Sequence, residues 1–568
     1  MELAAVVEEL TRPGATFELK DWRDGERSGK CWKNGPQSLN DIFAATRAHG
    51  DQPFLVCGRD AVSYSAFRAA CEHMASQLAS LGVGKGDVVA LSVGHEPEWI
   101  VTLFAAARLG AITAPINTAS DKDEFALLLR MSRAAVLVCD ERTLAKGADA
   151  LAESTVRHVL VARSQSPSNS SSLPPVLSLE ETLGAVSTWS GLSSETDAAA
   201  SRAAVDPDDP ALILFTSGTT GRPKAVLLSH RCCAYSVFHA AYRNTRAALL
   251  AGKQPAPPQR EALLLALPLF HAAGCRDALL PLMVRGGLVV TMPFWSPARA
   301  CALIEDNQIT ILAMIPSIAE QFLRQPGFEQ VKASVRQIIC GGAPPSAELP
   351  RLIAGHGAIP GQNWGMTETG GAVVGHVGPE YLSAPHSCGL PAPVLSLRVV
   401  SPSGAVLGPG EVGELQVSGP QVMKGYWGDE ALTAEHMADG WLRTGDLATI
   451  DASGYCSIVD RAKDMIIMAG ENIYCSEIER ALLAHPKIGD AAVIGAPHEG
   501  VGERPLAIIV VKDGMTPPSE MDVRIFVAGH LAPGKIPASI LYRSSALPRN
   551  AMGKLEKARL RQEVLAAR

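Results

Sequence analysis

The stretch Leu212-Ile213-Leu214-Phe215-Thr216-Ser217-Gly218-Thr219-Thr220-Gly221-Arg222-Pro223-Lys224 decides the fold. Four apolar residues in a row make a short buried strand that delivers the chain into a loop crowded with donors. Gly218 and Gly221 permit backbone conformations that turn successive N–H groups towards one point. Thr216, Ser217, Thr219 and Thr220 add hydroxyls, and Lys224 adds positive charge. The result is a concave anion site suited to phosphates. A plain polar turn is the alternative, but it does not call for so many donors beside one lysine. The kinase-type P-loop is excluded. Here the glycines stand three apart, Arg222-Pro223 separate the second from Lys224, and no Lys-Ser or Lys-Thr pair follows.

Outward from this loop, two periods alternate. Residues 65–81 have helical spacing, with Phe67, Ala70, Cys71, Met74 and Leu78 on one face. Gly84-Lys85-Gly86-Asp87 turns into the apolar run 88–93, and a helical stretch at 99–109 leads through Gly110 to a strand at 111–115. Such repeats imply an α/β fold layered around a largely parallel sheet. Residues 164–200 are serine-rich and read as an exposed loop between two subdomains, and 252–260 as a second polar loop. From Gly404 the texture changes to short strands and tight turns, a small β-barrel-like piece. The last hundred residues carry a helix at 478–483, strands at 491–494 and 506–511, and a closing helix from Lys557. They predict an α+β domain.

With 568 residues, 47% hydrophobic and 19% charged, the chain has material for substantial cores. Lys+Arg total 51 against 58 Asp+Glu, a net charge of −7 with no long basic run, which argues against a nucleic-acid surface. The 12 cysteines form no C-x-x-C or zinc spacing, so they read as reduced thiols of a cytoplasmic protein. No apolar run approaches a transmembrane length.

Five further stretches follow the loop or accompany it: Gly341-Gly342-Ala343-Pro344, Gln362-Asn363-Trp364-Gly365-Met366-Thr367-Glu368-Thr369, Trp441-Leu442-Arg443-Thr444-Gly445-Asp446, Asp460-Arg461-Ala462-Lys463-Asp464-Met465-Ile466 and Pro548-Arg549-Asn550-Ala551-Met552-Gly553-Lys554. In this order and spacing, from about residue 40 onwards, the chain resembles the adenylate-forming superfamily of acyl-CoA synthetases, peptide-synthetase adenylation domains and luciferases. It is most similar to bacterial fatty-acyl-type CoA ligases.

The resemblance implies a large N-terminal domain, residues 1–462, holding the acyl and ATP sites, and a small mobile C-terminal domain, residues 463–568. It implies ATP, Mg²⁺ and CoA as cofactor and co-substrates. Residues 216–221 and Lys224 would hold phosphates, and Gly342, Ala343 and Pro344 would lie along adenine. Trp364, where many relatives have Tyr, would stack on the base beside Asn363. Gln362 would read the adenine amino group or simply tie down its loop. Thr367 would touch the α-phosphate, and Glu368 would hold the metal that neutralises the leaving pyrophosphate. One carboxylate can accept from both ribose hydroxyls, so Asp446 is the ribose candidate, with Arg461 beside it. Lys463 takes the hinge position. Lys554 takes that of the catalytic lysine, and the chemistry explains it. A carboxylate attacking an anionic α-phosphate from about 4 Å meets roughly 4 kcal/mol of repulsion at an effective dielectric near 20, which an interposed cation offsets.

Ala469-Gly470-Glu471 resembles the CoA tunnel loop, with Ala469 where relatives usually have Gly; one methyl narrows the tunnel or does nothing. Cys475, where Pro is common, reads as structural. The acyl pocket would be bordered by His271 (or His271 is a buried structural residue), Ala272, Gly274, Gly341, Gly365 and Met366. Acetyl-CoA synthetases place Trp where Gly365 stands, so Gly365 is expected to leave room for a medium- or long-chain or bulky alicyclic acid. No basic residue is expected to face the pocket, so no dicarboxylate is expected. The implied activity is an ATP-dependent acyl-CoA synthetase. An enzyme loading a carrier protein or amine, or an aryl-CoA ligase, stays open, as does a homodimer.

Overall fold

The computed structural model describes residues 2–164, 173–192, 203–217, 222–254, 259–469, 471–498, 500–549 and 554–566. The expectations placed on Gly218, Thr219, Thr220, Gly221, Gly470 and residues 550–553 lie outside these, as does the Ser217 side chain.

Two large sheets build the N-terminal domain. Four strands that read as continuous apolar runs, Val88–Ser92, Ile112–Pro115, Val136–Asp140 and His158–Ala162, pair in parallel within an eight-stranded sheet. Parallel strands with both faces covered need no polar alternation. The strand Pro210–Ser217 joins Ile112–Pro115 in parallel and then turns back antiparallel into Pro223–Ser229. Thr216 and Lys224, at the two ends of the signature stretch, are thereby paired. A second sheet has nine strands. Ala262–Leu265, Leu288–Thr291, Ile311–Met314, Gln337–Gly341 and Ile359–Met366 run parallel in it, and Gly371–Val377 folds back antiparallel. One core cluster takes residues from both sheets and from the helices Tyr64–Ser80, Pro97–Arg108 and His230–Leu250. Every residue of Pro97–Arg108 is buried, and its two charged side chains are paired, Arg108 with Glu72 at 2.9 Å and Glu98 with Arg163 at 3.1 Å.

The serine-rich reading needs correction at 173–192. Val176–Ser178 is the edge strand of the eight-stranded sheet, and Trp189 is only 1% exposed. The few apolar residues scattered there (Val176, Leu179, Leu183, Trp189) anchor a segment whose composition hides them.

Past residue 395 the strands Ser396–Val400, Gly413–Ser418, Trp441–Ile450, Met437–Ala438 and Cys456–Arg461 make a small antiparallel sheet. The small C-terminal domain has its own five-stranded sheet and the helices Cys475–Leu483, Glu520–Ala528 and Lys557–Ala566, with apolar clusters separate from those of the large domain. The architecture is α/β, a large N-terminal domain followed by a small one.

Candidate active site

Ile359–Met366 organises the site because successive side chains of a strand point to opposite faces. Gln362 and Trp364 face one way. Gln362 is buried, its amide against His376 (3.5 Å) and the Cys388 sulfur (3.9 Å). The Trp364 indole N–H donates to Asp446 Oδ2 at 3.0 Å. Asp446 and Arg461 are directly paired across Trp441–Ile450 and Cys456–Arg461, and Arg461 Nε lies 3.2 Å from Asp446 Oδ1. Both oxygens of this buried carboxylate are thus engaged. Burial pushes Asp446 up, and the Arg461 charge and the indole bond pull it back.

Beyond the strand, the turn holding Thr367 and Glu368 is pinned by Met366 N–H donating to Thr369 Oγ1 at 2.9 Å. Glu368 is buried, and Oε1 accepts from the Tyr426 hydroxyl at 3.2 Å. Lys224 Nζ stands 3.0 Å from His436 Nε2 and 5.1 Å from the Tyr426 ring centroid. Burial and the Lys224 ammonium hold His436 below its ordinary range, so its ring nitrogen accepts from that ammonium. Thr216 pairs with Lys224 at the mouth of the hairpin. Tyr426 and His436 belong to no motif read from the sequence; only proximity reveals them.

Asn363 and Gly365 face the other way, into a cavity of about 210 Å³. His271, Ala272, Gly341, Gly342, Met366 and Thr367 also line it, and so does Lys554 from the C-terminal domain. Asn363, grouped with the ATP residues in the sequence, turns its side chain into this cavity, where Arg243 donates to Oδ1. Ala343 and Pro344 follow Gly342, which takes φ +83°, and do not line it. Neither does Gly274: a Cβ there would lie 2.2 Å from the Pro268 carbonyl oxygen, so close backbone packing explains this glycine. Gly365 also has a backbone reason. A Cβ would lie 2.0 Å from the Gly371 oxygen, so a side chain cannot enter without moving the neighbouring strand. Basic residues do face the cavity, against expectation: Arg243, Arg246 and Arg285. Burial, then Lys554, pulls His271 down to about 4, so it is neutral at pH 7. Burial and the Arg461 charge lower Lys554 as well.

Residues 42–427 match the AMP-binding enzyme family, and residues 477–554 match the AMP-binding enzyme C-terminal domain. The chain belongs to the AMP-binding enzyme family. It is 32% identical over 510 residues to a feruloyl-CoA synthase of an Amycolatopsis species, covering 89% of this chain and 94% of the relative. An indoleacetate–CoA ligase of Aromatoleum aromaticum is 32% identical over 505 residues, covering 89% and 93%. The fold superposes on the crystal structure of ATP-bound MatB from Rhodopseudomonas palustris with a TM-score of 0.78 at 28% identity, covering 93% of this chain and 99% of that one. This AMP-binding enzyme is an AMP-forming acyl-CoA synthetase, with ATP and CoA as substrates.

In its C-terminal domain, Ala469 takes φ +51°, the left-handed region that glycine adopts without penalty, with its N–H on the Val501 oxygen at 2.8 Å. Glu471 is exposed in the adjoining strand Glu471–Ile473. Lys463 is exposed in the turn after Cys456–Arg461, where Ala462 N–H donates to the Gly445 oxygen. Cys475 is fully buried and donates to the Asp464 oxygen at 2.9 Å, and burial pushes its thiol up. That fits a structural residue. Among the described residues no helix is long and apolar enough to cross a membrane.

Proposed function

We propose that the cavity lined by Lys554 and Thr367 is where the acid meets the α-phosphate of ATP. The observation that carries this is Lys554 itself. It is a cation of the C-terminal domain, yet it lines the same cavity as Thr367 and His271 of the large one. One oxygen of the acid attacks the α-phosphorus, a new P–O bond forms, and the bond to pyrophosphate breaks. Lys554 offsets the repulsion between the two anions and follows the charge as it redistributes. Thr367 contacts the α-phosphate, Lys224 and the hydroxyls of 216–220 hold the outer phosphates, and His436 fixes the Lys224 ammonium. The Trp364 ring and the backbone of 342–344 take adenine, and Asp446 with Arg461 takes the ribose.

Glu368 would hold Mg²⁺, which supplies charge neutralisation on the leaving pyrophosphate. The donor chemistry fits. No group of three His, Cys, Asp or Glu gathers among the described residues, and Mg²⁺ at a nucleotide needs only one or two carboxylates besides phosphates and water.

For the second step we assign the boundary to 462/463, with Lys463 the hinge on which residues 463–568 turn. Ala469, Gly470 and Glu471 then line the CoA path. The thiolate attacks the acyl carbonyl, the thioester bond forms and AMP leaves. Leu263, Ile311, Met314 and Val373 give the cavity an apolar wall, which supports a medium- or long-chain or alicyclic acid over acetate. An aryl acid is the second reading, favoured by the feruloyl- and indoleacetate-activating relatives.

Lys554→Ala tests the assignment. Acid-dependent pyrophosphate release should fall by at least a hundredfold, on the order of 3 kcal/mol, while thioester formation from supplied acyl-AMP persists. Equal loss of both half-reactions would remove Lys554 from the first.

A further inference from the structure

Three arginines line the acid cavity, Arg243, Arg246 and Arg285, and two of them have a carboxylate partner. Arg246 pairs with Glu380 at 3.0 Å and Arg285 with Glu261 at 2.6 Å, while Asp277, also on the wall, pairs at 2.9 Å with Arg276, which does not line the cavity. Arg243 has no such ion pair among the described residues. One Nη donates to Asn363 Oδ1, and Nε, buried, has no acceptor. Asp277 is engaged elsewhere at both oxygens, Oδ1 by Arg276 and Oδ2 by the Ala372 N–H at 3.0 Å.

Arg243 is only 9% exposed, on the helix His230–Leu250, and it lines the cavity that Lys554 also lines. Burial and Arg246 lower it to about 10, which still leaves it charged at neutral pH. Asp277 and Glu380 act on it from a distance, but each carboxylate is in closer contact with another arginine, and a buried guanidinium with no carboxylate in contact is costly unless something else brings one. Apolar side chains (Leu263, Ile311, Met314, Val373) share the cavity lining with this guanidinium, which has no carboxylate within ion-pair distance among the described residues.

We propose that Arg243, steadied by Asn363, is the subsite for a second carboxylate, so that the preferred acid is a dicarboxylic acid with an apolar spacer, activated at one end only. This rests on reading the cavity as the acid pocket. Lys554 meets the carboxylate that is adenylated, and Arg243 holds the other in a bidentate, charge-assisted contact. A ketone or hydroxyl at that end would accept a hydrogen bond but bring no charge into contact with the guanidinium.

The test uses the full-length enzyme, ATP, Mg²⁺ and matched acids. α,ω-Dicarboxylic acids are compared with monocarboxylic acids of equal length, with their monomethyl esters and with ω-keto acids, and pyrophosphate release gives kcat/KM. The wild type should prefer a diacid over its matched monoacid by about ten- to a hundredfold, the range of one charge-assisted contact. In Arg243→Met that ratio should fall to near one through KM, and Arg243→Lys should keep part of it. A wild type that prefers the monoacid, the ester or the keto acid overturns the proposal, and so does an undiminished ratio in Arg243→Met. The wild-type ratio decides even if Arg243→Met does not fold. If no acid of any kind releases pyrophosphate, the reading of the cavity itself is wrong. If monoacids react and diacids have no advantage, only the Arg243 subsite is.

Discussion

Trp364 does more than offer a flat ring. Its N–H holds one oxygen of Asp446 while Arg461 holds the other, so the proposed ribose carboxylate is aimed before any nucleotide arrives. Trp364→Phe keeps a ring for adenine and removes that bond. A hydrogen bond to a charged partner contributes roughly 1.5–3 kcal/mol, so the KM for ATP should rise about tenfold or more with kcat changed less. An unchanged KM would mean that the indole bond plays no part. At this scale the sequence was informative where a motif was contiguous. Asp446 and Arg461 stood out in their own stretches, whereas the bond joining Trp364 to Asp446 spans 82 residues and depends on two sheets meeting. Ala469 is the converse case. Its φ of +51° gives a local reason why relatives prefer glycine there, a reason residue identity alone leaves open.

At the scale of elements, Ile359–Met366 and its neighbour Gly371–Val377 set the acid side by how closely their backbones pack. Pairing slips between Trp364 and Gly365, and the Gly371 oxygen occupies the space a Gly365 Cβ would need. Gly365→Ala therefore displaces a strand. The loss in kcat/KM should be similar for short and long acids, in contrast to the size-selective loss expected if glycine merely leaves room. A panel of acids of graded length decides between them, and a loss confined to long acids would restore the simpler view. The helix His230–Leu250 shows where sequence reading stops. Arg243 stands in it among ordinary neighbours, and only the packing of this helix against Gly371–Val377 brings it to the cavity. Tyr426 and His436 were hidden in the same way, being more than 200 residues from Lys224. The strands and helices themselves were legible, since their periodicity is local, apart from the sparse apolar anchors of 173–192.

For the whole molecule, two consequences follow from how its parts are joined and filled. If residues 463–568 turn about Lys463, then Lys463→Pro, which fixes one backbone torsion, should leave pyrophosphate release within a few-fold of wild type and stop thioester formation; an undisturbed second step would move the hinge elsewhere. Among the described residues, four buried histidines are held well below their ordinary range, with burial the largest cause in each. His230 and His271 are lowered to about 4, and His239 and His376 to about 3. Unfolded, each would titrate near 6.5, so below that pH the unfolded chain binds protons the native one refuses. Their contribution is complete above pH 6.5 and is lost as pH falls towards 4 to 3, at up to about 1.4 kcal/mol per pH unit for each ring. Thermal melts should therefore show Tm dropping steeply between pH 6.5 and 4.5, and a flat profile would count against buried neutral rings. The alternation along Ile359–Met366 has a consequence for descent. Gln362 and Trp364 point away from the cavity that Asn363 faces, so, on the roles proposed above, a lineage can exchange one carboxylic acid for another by drifting at 363 while 362 and 364 keep their hold on ATP.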